Sequence, residues 1–284
     1  MLKRLIKLKL SLALRAADVV TGGVRRLVGL GSVNRCVVLY YHGVTEAQRD
    51  CFAKQMRWLA SHLEIVSVAR LSCVGGSGRR CCVTFDDAFD SVRRFALPTC
   101  RELGIPISLY AVTGNLGARP RWAMPPGHCD ANEPIMTGAQ LRSLPEDLVT
   151  IGSHTVTHRP LAELSNSEIA TELVESKRQL ESAIGKDVRE LSVPYGSFRE
   201  DVLIEASRAG YEQVLTCEPE ALTLPHTGAR VGRFKVTPED WMIEFKLAAL
   251  GAYRWRKWLR GGARKTAPDA QISGSRAAGI GLRG

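Results

Sequence analysis

The sequence has no C-x-x-C pair and no run of 18 apolar residues. Its eight cysteines, Cys36, Cys51, Cys73, Cys81, Cys82, Cys100, Cys129 and Cys217, are scattered. Such spacing argues against a structural zinc site or a dithiol redox motif. Cysteines inside apolar runs, as in Cys81-Cys82-Val83, read as free thiols packed as small hydrophobes, which suggests a reducing compartment. The missing apolar run argues against a transmembrane helix. A cleaved signal peptide is not expected either. The start, MLKRLIKLKLSLALRAADVV, is basic, but Lys7, Lys9 and Arg15 break its apolar stretch and no small-residue cleavage site follows. No internal repeat is evident.

What remains is an ordinary globular composition. Of 284 residues, 45% are hydrophobic and 24% charged. That length suits one large α/β domain able to bury its own core. The net charge of +10 lies at the two ends: residues 1–30 carry +6, residues 251–284 carry +7, and the middle is left at −3. Three regions follow: a basic amphipathic segment at 1–34, a main α/β domain at 35–250, and a basic tail at 251–284. Disorder is expected after Gly261. The first segment reads either as a helix on an anionic membrane surface or as a solvated helix packed on the domain. Tyr253-Arg254-Trp255-Arg256-Lys257-Trp258, with aromatics among cations, suits a membrane interface or a helix covering the domain. Nucleic-acid binding is not expected, because the core between the basic ends is acidic on balance.

Between residues 36 and 250, strand-like runs alternate with helical patterns. Seven runs predict strands: Cys36–His42, Cys81–Phe85, Ile107–Val112, Leu148–Gly152, Leu191–Pro194, Gln213–Cys217 and Arg230–Val236. Most are near-continuously apolar, as expected for strands buried on both faces of a parallel sheet. Helices are predicted over 51–62, over 89–103, from the capping box Ser165-Asn166-Ser167-Glu168 to Ile184 with Gly185 as the stop, and from Thr237-Pro238-Glu239-Asp240 onward. This alternation predicts parallel βαβ units, closed into a barrel or left as an open sheet. Gly114 to Met136 is a long irregular stretch containing Trp122, which could wall or cover a site.

Polar clusters close several of these strands: His42; Thr84-Phe85-Asp86-Asp87; Ser153-His154-Thr155-Val156-Thr157-His158; and Pro194-Tyr195-Gly196. Parallel α/β folds bind ligands at such C-terminal strand ends. His154 and His158 are four residues apart, about 13 Å in an extended chain. Two ligands of one ion, each about 2.0–2.1 Å from it, cannot be that distant. The chain is therefore expected to make a helical turn just after Gly152 if both bind. Asp86 and Asp87 are adjacent carboxylates, which repel unless a cation separates their roles. A metal beside Asp87 would leave Asp86 free as a base, and two histidines with one carboxylate leave a position open for water.

These motifs resemble the polysaccharide deacetylase family, also called the NodB homology domain or carbohydrate esterase family 4. The family pattern T-F-D-D-G is matched by Thr84-Phe85-Asp86-Asp87-Ala88, H-[ST]-x-x-H by His154-Thr155-Val156-Thr157-His158, and R-x-P-[YF]-G by Ser192-Val193-Pro194-Tyr195-Gly196. Tyr41-His42-Gly43-Val44 is similar to members acting on surface polysaccharides. The resemblance covers roughly residues 36–245 and implies a distorted (β/α)7 barrel of mainly parallel strands. It implies a divalent metal on Asp87, His154 and His158, most simply Zn²⁺ with Co²⁺, Mn²⁺ or Ni²⁺ as alternatives. Asp86 would be the general base, and the Tyr195 backbone N–H would hold the oxyanion. Ala88 stands for glycine, and Ser192 for the arginine that orients the base; Arg230 or Arg233 is offered for that charge. The late histidine acid has no clear counterpart, and His226 and His42 are the candidates. The implied activity is removal of N-acetyl groups from an N-acetylated glycan, with another C–N amide hydrolysis or glycan binding without catalysis as alternatives. The expected location is cytoplasmic or peripheral on the cytoplasmic membrane face, or periplasmic on an uncleaved N-terminal anchor.

Overall fold

The computed structural model describes residues 2–28, 34–124 and 127–257. Trp258 and the expected disordered tail lie outside them. In chain order the elements are α1 (Leu2–Leu27), β1 (Arg35–Tyr41), α2 (Arg49–His62), β2 (Glu64–Ile65), β3 (Arg79–Phe85), α3 (Leu97–Glu102), β4 (Ile107–Ala111), α4 (Gly138–Arg142), β5 (Val149–Ser153), α5 (Asn166–Ile184), β6 (Glu190–Ser192), α6 (Glu200–Arg208), β7 (Gln213–Leu215), β8 (Ala221–Thr223), β9 (Arg230–Val231), β10 (Phe234–Lys235) and α7 (Met242–Ala249).

The main sheet runs β10-β1-β3-β4-β5-β6-β7-β9, every pair parallel. Its two ends, β9 and β10, are separated in the chain by only Gly232 and Arg233. The sheet therefore curls until it nearly closes, as a distorted barrel of seven staves. Each predicted strand supplies one stave. The last was expected as one continuous strand over Arg230–Val236, but it divides: Val231 pairs with Leu215 of β7 and Phe234 with Leu39 of β1. One segment serving both seam edges cannot stay in register with both, so it breaks between them.

Alternation along the staves divides the core. Val37, Leu39, Tyr41, Val83, Phe85 and Leu109 belong to the larger cluster, with α2, α5 and α7. Their alternates Cys36, Val38, Cys82 and Tyr110, with Leu215 and Val231, form a second cluster. Cys36, Cys81, Cys82 and Cys100 are buried free thiols as expected, whereas Cys51 and Cys73 are exposed.

Helix α5 begins at the expected capping box, where Glu168 N–H donates to Ser165 Oγ and Ser165 N–H to Glu168 Oε2. It stops at Gly185, whose φ of 77° glycine takes without strain. Its inward stripe of Ile169, Leu173, Leu180 and Ile184 is interrupted by buried Glu172 and Ser176. The helix expected from Thr237 starts later, at Met242. Thr237–Asp240 instead closes a turn, with the Thr237 N–H donating to Asp240 Oδ2 at 2.9 Å. Helix α1 packs along α7 and the following turn through Arg4–Glu244, Ser11–Trp255 and Asp18–Arg254.

Candidate metal centre and active site

The C-terminal ends of β1, β3, β5 and β6 converge on one rim. The Asp86 N–H donates to Tyr41 O at 3.0 Å, which brings the end of β3 beside His42. Past Asp86 the backbone turns left-handed: φ is 68° at Asp87 and 52° at Ala88. Thr155, His158 and Tyr195 are also left-handed, at 68°, 59° and 58°. Among the described residues these five are the non-glycine positions of positive φ, and all lie on this rim. Such conformations cost about 1–3 kcal/mol each and persist where surrounding contacts enforce them. The position where the family writes glycine thus does need positive φ, and Ala88 carries it, braced by the Met136 N–H donating to its carbonyl.

The expected helical turn after Gly152 does not form. β5 ends at Ser153, and residues 154–158 fold as a compact bend with left-handed residues at both Thr155 and His158. That bend shortens the span enough to bring both imidazoles to Asp87. His154 Nε2 is 3.6 Å and His158 Nε2 3.4 Å from Asp87 Oδ1, and the three ligand atoms lie within 4.8 Å of one another. Donors about 2.0–2.1 Å from a tetrahedral ion stand about 3.3 Å apart. Among the described residues Asp87 Oδ1 and His158 Nδ1 are buried without a hydrogen-bond partner, and buried polar atoms are rarely left so. The Nδ1–H of His154 donates to Ser192 O at 2.6 Å, leaving Nε2 as the bare nitrogen facing Asp87. Burial drives both imidazoles toward the neutral, ligating form; with His154 alongside, His158 is pushed down to about 2. Burial and the neighbouring Asp86 push the Asp87 carboxyl up. A cation between these groups would reverse that pressure. The residues fit a divalent ion.

Helix α5 holds the bend in place. Glu172 accepts from the N–H groups of Val156 (2.8 Å) and Thr157 (3.0 Å) and from the Thr157 hydroxyl. Ser153 Oγ accepts from Thr155 N–H and donates to Ser176, and Thr155 Oγ1 accepts from His158 N–H. Sequence reasoning passed over Glu172, although a carboxylate within an apolar helical stripe was a usable signal. Glu172→Ala is expected to weaken metal affinity about 10–100-fold, since outer supports of ligands contribute on that scale. A competition titration with a chromophoric chelator measures it, and unchanged affinity would show that the bend holds itself.

Asp86 has a different environment. It is buried, yet Arg233 Nη1 and Nη2 donate to its two oxygens at 2.8 and 3.0 Å, and Ser192 Oγ donates to Oδ1 at 3.0 Å. Burial pushes this carboxyl up, but the Arg233 charge, His154 and the Arg233 hydrogen bonds override it and hold Asp86 well below the usual carboxylate range. Arg233 itself is fully enclosed. It also donates to Ser192 Oγ, Thr84 Oγ1 and Thr216 O, and lies over the Tyr40 ring at 4.5 Å. Of the two arginines offered for this charge, Arg233 meets Asp86; Arg230 instead bridges Glu218 and Glu220.

Tyr195 sits in the turn Pro194–Gly196, its ring 4.7 Å from that of His158. Gly196 is required there, because an added Cβ would come within 2.6 Å of Cys217 Cβ and φ is 62°. Trp122, from the long irregular stretch, stacks on His158 at 4.2 Å and so walls the centre. His42 lies at the rim, driven down to about 4 by burial against the pull of Asp86. His226 is elsewhere: its N–H donates to Leu71 O and its Nε2 meets Arg230 O at 2.9 Å. Nearby, the Leu224 N–H donates to the carbonyl of Asn34, at the start of β1. The site is at the end of that strand, about 20 Å away at strand rise, so His226 does not belong to it.

Fold and site together define a parallel α/β barrel with a buried Asp-His-His group that could hold a metal ion and a buried, arginine-held carboxylate at its mouth. The polysaccharide deacetylase family model matches residues 75–214 of the chain. The polysaccharide-deacetylase-type protein YxkH of Bacillus subtilis is 22% identical over 156 residues, 55% of this chain and 51% of that one. The chain thus spans about half the length of this curated relative. Among solved structures, IcaB from Ammonifex degensii is 21% identical with a TM-score of 0.65, covering 78% of this chain and 98% of its own. The deacetylase PplD of Streptococcus pyogenes, solved with acetate, is 18% identical with a TM-score of 0.62, covering 77% and 99%. A de-N-acetylase from Aggregatibacter actinomycetemcomitans is 18% identical with a TM-score of 0.62, covering 76% and 100%. These likenesses establish the fold.

Proposed function

We propose that the protein is a metal-dependent deacetylase that removes N-acetyl groups from amino sugars of a polysaccharide, oligosaccharide or lipid-linked glycan. One observation carries the reading: a ligand set of Asp87, His154 and His158 stands beside a separate carboxylate, Asp86, that Arg233 keeps ionised. A ligand set of two nitrogens and one oxygen suits Zn²⁺, with Co²⁺, Mn²⁺ or Ni²⁺ as alternatives. Bound there, the ion supplies Lewis acidity toward the amide oxygen and lowers the pKa of a nearby water. The chain's own groups do the rest. Asp86 accepts a proton from the attacking water. The Tyr195 backbone N–H holds the developing oxyanion. His42, next to Asp86 and neutral, passes the proton on to the departing amine. Trp122 and Tyr195 flank His158 and restrict how the acetamide enters.

The test uses the full chain loaded with Zn²⁺ and a panel of N-acetylated and N-formylated glucosamine oligosaccharides. Acetate is expected in equal amount with new free amines, lost on chelation and restored by metal. Formate without acetate would replace the reading with a deformylase. Glycan binding with neither product would make the domain a binding module.

A further inference from the structure

Helix α1 is amphipathic with its polar side turned inward. Arg4, Ser11 and Asp18, seven residues apart, face the domain and contact Glu244, Trp255 and Arg254. The opposite side is apolar and exposed. Ile6, Leu10, Ala13, Ala17, Val20, Val24 and Leu27 recur at spacings of four and three, all open to solvent, with Ile6 50% and Val20 65% exposed. Leu5, Leu12 and Val19 widen the face to about half the helix circumference at 100° per residue. Only Lys9 interrupts it. At 26 residues the helix is about 39 Å long. A continuous apolar face of that length turned to water is a docking surface.

We propose that the outer face of α1 seats the protein in the interfacial plane of an anionic lipid bilayer. Two features select this occupant over a second copy of the chain. A coiled-coil seam is narrow and edged by charges, whereas this face stays apolar across its flanks. The charges are also one-signed. Helix α1 carries seven basic residues and a single acid, Asp18, already engaged by Arg254, so a second α1 has nothing to offer these cations. Behind the helix, a cavity of about 640 Å³ is lined by Arg15, Arg25, Arg35, Arg79, Arg80 and Arg254, with Asp18 as its one acid. Asp18 pairs with Arg254 and Arg35, and Glu64 with Arg80. Arg15, Arg25 and Arg79 have no carboxylate partner among the described residues. Lipid phosphates beside the inserted helix would supply the missing anions. No helix of the described residues is long and apolar enough to cross a membrane, so this contact lies on the bilayer.

The test is flotation of the full, metal-loaded chain with vesicles of phosphatidylcholine alone or mixed equally with phosphatidylglycerol. Binding to the mixed vesicles is expected, at least about tenfold tighter than to phosphatidylcholine. The pair Ile6→Glu and Val20→Glu, both exposed, is expected to weaken it about a hundredfold at an unchanged melting temperature. A wild-type chain that stays with the soluble fraction in both cases overturns the proposal. So does a wild-type dimer by light scattering that the same pair dissociates without any flotation. Neither arm reads hydrolysis, so the outcome is independent of the proposed activity.

Discussion

Asp87→Asn is expected to abolish acetate release, by about a thousandfold or more, and to remove high-affinity metal binding while leaving the apoprotein at least as stable as wild type. The stability arm follows from the site's electrostatics. Without a cation, Asp87 is a buried carboxyl beside ionised Asp86, with Oδ1 unpartnered and its pKa pushed up by burial and by that neighbour. Keeping such a group charged at neutral pH opposes folding. Asparagine removes the charge, keeps the shape and tolerates the φ of 68°. In wild type, saturating Zn²⁺ should raise the melting temperature by mass action on the folded state; in the variant that rise should vanish. Calorimetry with and without metal, beside the acetate assay, reads both arms. A variant that still binds zinc tightly and turns over would mean the ion sits elsewhere.

Arg233→Met should be the most damaging single change away from the ligands. It leaves Asp86 as a fully enclosed anion without its partner, a situation that costs about 3–5 kcal/mol. For a domain of this size, that lowers the melting temperature by roughly 10 °C. Activity is expected to fall at least about a hundredfold, because Arg233 also fixes the direction of the Asp86 oxygens through its paired donors. Arg233→Lys keeps a charge but loses the two-pronged geometry, and should recover part of the stability and little of the rate. The double variant Asp86→Asn with Arg233→Met should be more stable than Arg233→Met alone, since no buried anion is then stranded. A single variant that melts and turns over like wild type would mean that Asp86 is oriented by Ser192 alone.

These residues also show what could be read in advance. The strand-end residues that meet at the rim, Asp86, Asp87, His154 and His158, and the positions of the seven staves were legible because each is local. A buried strand is a short apolar run, and the polar residues that end it face the rim. The bend that joins His154 to His158 was not legible as a form. Spacing required compaction, and only the left-handed turns at Thr155 and His158, pinned by Glu172 from another helix, decided how it is achieved. The two histidines offered as the acid looked alike in sequence, and their separation to opposite ends of the barrel depends on where the chain crosses it.

By itself the sequence determined the alternation of strand and helix, and through its strand-end motifs the acidic and histidine side chains that meet at the rim. Period, capping and hydrophobic content act over a few residues, so they can be read without the fold. Only the tertiary structure decided which arginine replaces the one missing at Ser192, because Arg233 reaches Asp86 through the break where the last stave leaves β7 for β1. It alone decided, too, that α1 turns its charges inward and its apolar face out. Both outcomes depend on packing between segments more than a hundred residues apart, and no local pattern encodes that.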